Sequence, residues 1–312
     1  MPLVHNRWGV HINRDTGVPC LCLCGTNILF FSKKHRFSIF LYLGNCFRDQ
    51  TCCEGFSAVP AQQAYYTIYM CTRINIWSSP RNVSTAFMYA FAQRPDTTVV
   101  DEPLYAHYLS KTDSEAQHPG AEEVLAAQCA DGQRVVAEVI LGDCATPVVL
   151  FKQMTHHLIH LDWSFMRHTK NVMLVRDPRA IIASYAKVIP NPGMQDVGVA
   201  LQSQLFDYLR ENDCLSAVVD AAELLKNPPG VLRRLCEALA IDYTDAMLRW
   251  PAGPKLYDGV WAPYWYDQVW HSTGFQPYEP VRYVLPPHLE ALCAQCMPHY
   301  EHLYTFAIKA FS

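Results

Sequence analysis

From Arg73 onward, short apolar runs alternate with segments of helical period, and no other feature of the chain constrains its fold as strongly. The runs Arg73 to Trp77, Thr97 to Asp101, Val148 to Gln153, Asn171 to Arg176 and Leu215 to Asp220 have the length and apolar content of strands buried on both faces. Helical segments fall between and after them, near Val83 to Ala92, Ala121 to Asp131, His156 to Arg167, Pro178 to Lys187, Gly193 to Asn212 and Pro229 to Ala240. Pro287 to Leu303 reads as one more helix. This succession predicts a doubly wound, three-layer α/β/α domain with a central parallel sheet over residues 73–312. Ligands of such a sheet sit beyond the carboxyl ends of its strands.

Residues 1–72 carry neither a sustained helical period nor alternating strands with turn signals, and no fold is assigned to them. They hold seven of the 13 cysteines: Cys20, Cys22, Cys24, Cys46, Cys52, Cys53 and Cys71. An odd total in a chain of this size favours reduced thiols and a cytoplasmic setting. The apolar runs Val18 to Phe31 and Phe37 to Phe47 are each shorter than the roughly 20 residues of a bilayer span, which weighs against a Golgi-type membrane anchor. A net charge of −4 argues against nucleic acid as a partner, so an anion site has to come from a few basic groups placed locally.

Two segments supply such groups. The strand ending at Trp77 runs into Ser78, Ser79, Pro80, Arg81, Asn82, Val83, Ser84 and Thr85, and then into a helix. Helix-first-turn N–H groups, the Arg81 guanidinium and the hydroxyls of Ser84 and Thr85 suit a phosphate or sulfate. A Walker A loop needs glycines and a Gly-Lys pair, which this loop lacks. Ordinary capping by Ser78 or Ser79, with Pro80 opening the helix, is the competing reading. The second segment is the strand Val172 to Val175 ending in Arg176, Asp177 and Pro178, with Ser184 eight residues after Arg176. A guanidinium fork at a strand end and a hydroxyl two turns up the following helix suit a second phosphate. A salt bridge from Arg176 or Arg179 to a carboxylate is the alternative.

The pair of segments resembles the two signatures of sulfotransferases that use 3′-phosphoadenosine 5′-phosphosulfate (PAPS). Pro80 to Thr85 is similar to the loop that holds the 5′-phosphosulfate, and Arg176 with Ser184 to the 3′-phosphate signature. The likeness runs from about Arg73 to Phe275. Gly253-Pro254-Lys255 and Trp270 to Phe275 resemble a branch some of whose members carry aminotransferase-like names, although no residue supports pyridoxal-phosphate chemistry. The resemblance implies a P-loop-like sulfotransferase fold. It further implies PAPS as co-substrate held by Arg81, Asn82, Val83, Ser84, Thr85, Arg176 and Ser184, and transfer of a sulfonate to a hydroxyl or amine. A small molecule or carbohydrate would be the acceptor, and no metal is called for. A non-catalytic phosphate-binding module, or a P-loop kinase using Asp177 as metal ligand, are the alternatives.

Such transfer needs a base for the acceptor proton and a cation near the leaving group. Glu102, after the strand Thr97 to Asp101, is the expected base, with Asp101 and His107 as competitors. Lys152, near the end of another strand, is expected to assist the leaving group. Ala86 follows Thr85 where relatives often carry an adenine-stacking Trp, so Phe87 or a later aromatic would have to replace it; Arg249 or Lys255 would supply a further 3′-phosphate contact. His156, His157 and His160 with Asp162 are expected to form a polar helix face rather than a metal site. Cys293 and Cys296 are expected to be helix residues, not zinc ligands. The aromatic stretch Trp261, Tyr264, Trp265, Tyr266 and Trp270 reads either as a lid over the acceptor or as loop packing.

Overall fold

The computed structural model describes residues 71–112, 118–187 and 191–311 in full, together with the backbone of five strands within the first 70 residues. The chain divides into two compact units, Met1–Met70 and Cys71–Ser312. In the first unit β1 (Val10–Ile12), β2 (Pro19–Leu23), β3 (Thr26–Lys33), β4 (Arg36–Tyr42) and β5 (Tyr65–Tyr69) pair in chain order. Every pairing in this unit is antiparallel. The segment without an assigned fold therefore contains a meander, and its apolar runs lie largely in β2, β3 and β4. The side chains of its cysteines, Cys71 apart, lie outside the described residues.

The second unit is built on six parallel strands: β6 (Thr72–Ser78), β7 (Thr97–Asp101), β8 (Val148–Met154), β9 (Lys170–Val175), β10 (Leu215–Asp220) and the short β11 (Ala307–Ile308). Their order across the sheet is β11-β10-β9-β6-β8-β7. Alternate residues serve opposite faces: Val172 and Leu174 of β9 enter one core with Ile74, Ile76 and Leu150, whereas Met173 and Val175 enter the other with Trp77 and Phe151. Helix α1 (Ser84–Ala92) and the helix Pro228–Leu239 cover the first face, and Val199–Glu211 the second. This is the three-layer α/β/α fold read from the strand pattern. Because β6 lies between β8 and β9, the loop that leaves β6 emerges where the winding reverses direction, the place where open parallel sheets bind ligands.

Several expectations are corrected. Cys71 and Cys144 form a disulfide, so reduced thiols do not hold throughout the described residues. The helix expected over His156 to Arg167 is instead two 3₁₀ segments, Thr155–Leu158 and Trp163–His168. They are separated at His160, whose φ is +54°, and restarted where Asp162 accepts from Ser164 N. The helix over Gly193 to Asn212 breaks at Gly198, where φ is +74°, into Met194–Val197 and Val199–Glu211. Capping by Ser78 or Ser79 does not occur: α1 starts at Ser84 with Val83 before it and no side-chain cap. Cys293 and Cys296 are buried on the helix Pro287–Tyr304, as expected of small apolar residues. No helix among the described residues is long and apolar enough to cross a membrane.

Candidate active site

The loop from Ser78 to Val83 turns sharply because Arg81 adopts a left-handed φ of +55°. Only a few per cent of non-glycine residues do so, and such strain persists where surrounding contacts hold it. Asn82 pins the loop to the neighbouring strand end, its Nδ2 donating to Leu174 O at 2.9 Å while its Oδ1 accepts from Val83 N at 2.8 Å. Val83 packs against the core, Ser84 is buried, and Thr85 is half-buried in the first turn of α1. With no side-chain cap, the N–H groups of that turn stay open to a ligand.

Arg176, one residue past β9, donates from NH1 to Arg81 O at 2.5 Å, and Arg81 Nε donates to Ser184 Oγ at 3.1 Å. The three expected anion ligands that come from distant parts of the chain thus meet at one place. Among the described residues neither guanidinium is paired with a carboxylate. Burial, and then the nearby Arg176 charge, push the Arg81 pKa down. Two cations held side by side, with no counter-charge among the described residues, make a site that an anion relieves. Trp265 lies 6.0 Å from the Arg81 guanidinium carbon, an aromatic face beside the anion loop. Phe87 offers no such face, since it is fully buried and stacked on Phe91. Arg249 sits at an antiparallel bridge with Gly274, and Lys255 lies over the Tyr89 ring.

The second part of the site lies at the ends of β7 and β8. Glu102 has a left-handed φ of +37° and is fixed on both sides: its N–H donates to Lys152 O at 2.8 Å, and its carbonyl accepts from Gln128 Nε2 at 3.2 Å. Its carboxylate is buried and accepts at Oε1 from Lys152 Nζ. The same ammonium donates to Asp101 Oδ1 at 2.9 Å and to the Tyr266 hydroxyl at 2.7 Å. Lys152, expected beside the leaving group, therefore has all three donors engaged, at two carboxylates and the Tyr266 hydroxyl. Burial lifts the Glu102 carboxyl, Lys152 opposes that and Asp101 reinforces it, so its pKa is raised to about 7. Burial also works against the Lys152 charge, but Asp101 and Glu102 outweigh it and raise its pKa.

An aromatic wall faces Glu102. His157 Nε2 is 3.9 Å from Glu102 Oε2, and its ring stacks between Tyr105 at 4.8 Å and Tyr108 at 5.0 Å. The polar helix face expected of the histidines is corrected: His157 is buried and His156 half-buried, because the chain leaves β8 into the interior. Burial, then the neighbouring His156, hold the His157 imidazole well below its ordinary pKa. No cluster of metal-ligating residues is found among the described residues. Of the aromatic stretch, Trp261 and Tyr266 are buried against helix α2 (Tyr105–Lys111), while Tyr264 is half exposed with its hydroxyl on Glu123. Tyr185 lies within electrostatic range of both Arg81 and Tyr108.

Fold and site together define an α/β domain that places paired arginines at a sheet switch point and a buried carboxylate at the end of another strand of the same sheet. A family model described as a sulfotransferase domain matches residues 72–307, and the chain belongs to that family. Two Arabidopsis thaliana relatives are named branched-chain-amino-acid aminotransferase-like proteins 1 and 2. The first is 41% identical over 203 residues, covering 65% of this chain and 36% of the relative. The second is 36% identical over 231 residues, covering 74% of this chain and 41% of the relative. The chain thus spans about two fifths of the length of these relatives. Among solved structures it is similar to a sulfotransferase from Alicyclobacillus acidocaldarius, with a TM-score of 0.46 and 14% identity, covering 75% of this chain and 94% of that one. It is also similar to the sulfotransferase domain from the curacin biosynthetic pathway, with a TM-score of 0.44 and 16% identity, covering 73% and 98% of the two chains.

Proposed function

We propose that this domain takes PAPS as donor and transfers its sulfonate to a hydroxyl or amine of a small molecule or carbohydrate. The observation that carries the reading is the convergence of Arg81, Arg176 and Ser184 at the switch point, with no carboxylate among the described residues paired with either guanidinium. Arg81, the Asn82-Val83 backbone, Ser84 and Thr85 would hold the 5′-phosphosulfate, and Arg176 with Ser184 the 3′-phosphate. The co-substrate supplies the group: the acceptor oxygen or nitrogen forms a bond to sulfur, the bond from sulfur to the bridging oxygen breaks, and its electron pair leaves on the 5′-phosphate. Arg81 and the first-turn N–H groups of α1 stabilise the charge that gathers there.

Glu102 takes the acceptor proton. A base works best when its pKa lies near the working pH, and burial lifts this carboxyl to about 7. Lys152 acts at the carboxylates, where it keeps a buried acid pair tolerable. A screen for transfer of labelled sulfate from PAPS into pooled metabolites and oligosaccharides tests the activity. Glu102→Gln is expected to lower kcat on any acceptor found by at least about a hundredfold, the usual scale of general-base catalysis. Transfer that persists undiminished in that variant overturns the assignment of the base.

A further inference from the structure

The carboxylate end of the site contains more polar atoms than base catalysis requires, and they are joined in one closed network. Asp101 and Lys152 are Cα partners across β7 and β8, so backbone register alone brings their side chains together. Asp101 uses both carboxylate oxygens: Oδ1 accepts from Lys152, and Oδ2 accepts from the Tyr266 hydroxyl at 2.7 Å and from Gly259 N at 3.1 Å. The Tyr266 oxygen is equally committed, donating to Asp101 and accepting from Lys152 Nζ and from Trp261 Nε1, the latter at 3.2 Å. His107, the other candidate base, directs Nε2 at Ile159 O at 2.8 Å and Nδ1 at Ala130 O at 3.4 Å. With those atoms engaged, Glu102 Oε2 is left facing the imidazole wall.

We infer that Asp101 and Tyr266 are positioning residues for Glu102: by holding the Lys152 ammonium against Glu102 Oε1, they leave Oε2 as the oxygen that takes the acceptor proton. The inference rests on the sulfotransferase reading and extends it by two residues, one of which arrives from a segment more than a hundred positions along the chain. It also assigns a task to the aromatic stretch from Trp261 to Trp270, which anchors the far side of the Lys152 ammonium. The proton balance is closed, since the acceptor O–H or N–H loses its proton to Oε2 as its bond to sulfur forms.

Five groups face Glu102 from the surrounding elements: Lys152 from β8, Asp101 from β7, His157 from the 3₁₀ segment after β8, Tyr105 from α2, and Tyr266 from the aromatic stretch. Asp101 raises the proton affinity of Glu102, and Lys152 lowers it. Asp101→Asn removes the like charge at nearly constant shape, so Glu102 should titrate lower, by about one pH unit or more. Tyr266→Phe removes one of the three groups that hold the Lys152 ammonium in place, which is then held less firmly against Glu102 Oε1. Because Lys152 lowers the Glu102 titration, that titration should move up, by a smaller amount.

The test is carboxyl-carbon NMR of the whole chain labelled at the glutamate side-chain carboxyls, with Glu102→Gln identifying the resonance. Binding of adenosine 3′,5′-bisphosphate is measured on the same samples. Tyr264→Phe, a hydroxyl of the same segment that bonds Glu123, serves as the control and should leave the titration in place. A downward shift in Asp101→Asn and an upward shift in Tyr266→Phe support the inference. A Glu102 midpoint unmoved in either variant, in a sample that still binds the bisphosphate, overturns it while the sulfotransferase reading stands. Failure of the wild-type protein to bind the bisphosphate removes that reading instead, whatever the titrations show.

Discussion

Cys71 immediately precedes β6 and Cys144 lies in the connection before β8, so their disulfide joins the amino ends of the two strands whose carboxyl ends carry the anion loop and Lys152. Replacing both by serine removes a cross-link between residues 73 apart. In the chain-entropy treatment, closing a loop of that length is worth about 4 kcal/mol, most of it through restriction of the unfolded chain. For a unit of this size, that predicts a fall in melting temperature of about 8–16 °C. Arg73 NH2 also holds the connection, donating to Gly142 O at 2.7 Å, so the folded geometry of the strand ends should survive. The bridge lies at the opposite end of the sheet from the anion loop, and affinity for adenosine 3′,5′-bisphosphate should therefore not change. Thermal unfolding of the oxidised protein and of the Cys71→Ser/Cys144→Ser variant measures the effect. A difference below about 2 °C would refute the entropic argument, and peptide mapping that finds the two thiols unlinked in the oxidised protein would refute the pairing itself.

Lys152→Met leaves Asp101 and Glu102 buried without their cation, and should cost about 3–5 kcal/mol in urea unfolding at neutral pH. Part of that loss should return in acid, where the stranded carboxyls accept protons. In the wild-type protein Glu102 keeps its proton, when folded, over a window in which the unfolded chain has lost it. Its contribution to stability should therefore fall as pH rises from about 4.5 to about 7. Comparing wild type with Glu102→Gln across that window should show a relative loss of up to about 3 kcal/mol, and a flat difference would contradict the raised pKa. The Tyr89 hydroxyl donates to Asp258, whose Oδ2 also accepts from Trp270 Nε1 at 2.9 Å and Lys255 N at 2.8 Å. Tyr89→Phe leaves Asp258 with those two donors and should cost only about 1 kcal/mol by calorimetry.

The sheet was legible because its strands are buried on both faces and so read as unbroken apolar runs; Thr97–Asp101 and Leu215–Asp220 match the expected bounds residue for residue. Arg81, Arg176 and Ser184 were legible for a different reason. Strand ends and helix starts are local signals, and the switch point then collects them in one place. The chain from Thr155 to His168 was misread because its apolar spacing mimics a helix, whereas burial of Thr155, His157 and Leu158 and the left-handed turn at His160 are set by the site around them. Tyr266 reaches Asp101 and Gln128 reaches Glu102 from distant parts of the chain, with Trp261 hydrogen-bonded to the Tyr266 hydroxyl, and no local pattern reports such contacts. The Cys71–Cys144 pairing was illegible on the same grounds, since spacing carries no information about a bridge between two crossover-linked strands. Trp261 and Tyr266, which the sequence offers as either lid or loop packing, are large aromatic residues with a polar tip, the kind that bury where the tip finds a partner.

The central claim is that Arg81, Arg176 and Ser184 form the nucleotide end of a sulfotransferase site, and calorimetric titration of the whole chain with adenosine 3′,5′-bisphosphate tests it most directly. The account predicts one saturable site, weakened about 10- to 150-fold by Arg176→Ala, the range set by losing a hydrogen bond to a charged group. Absence of binding, or binding that Arg176→Ala leaves unchanged, would contradict it.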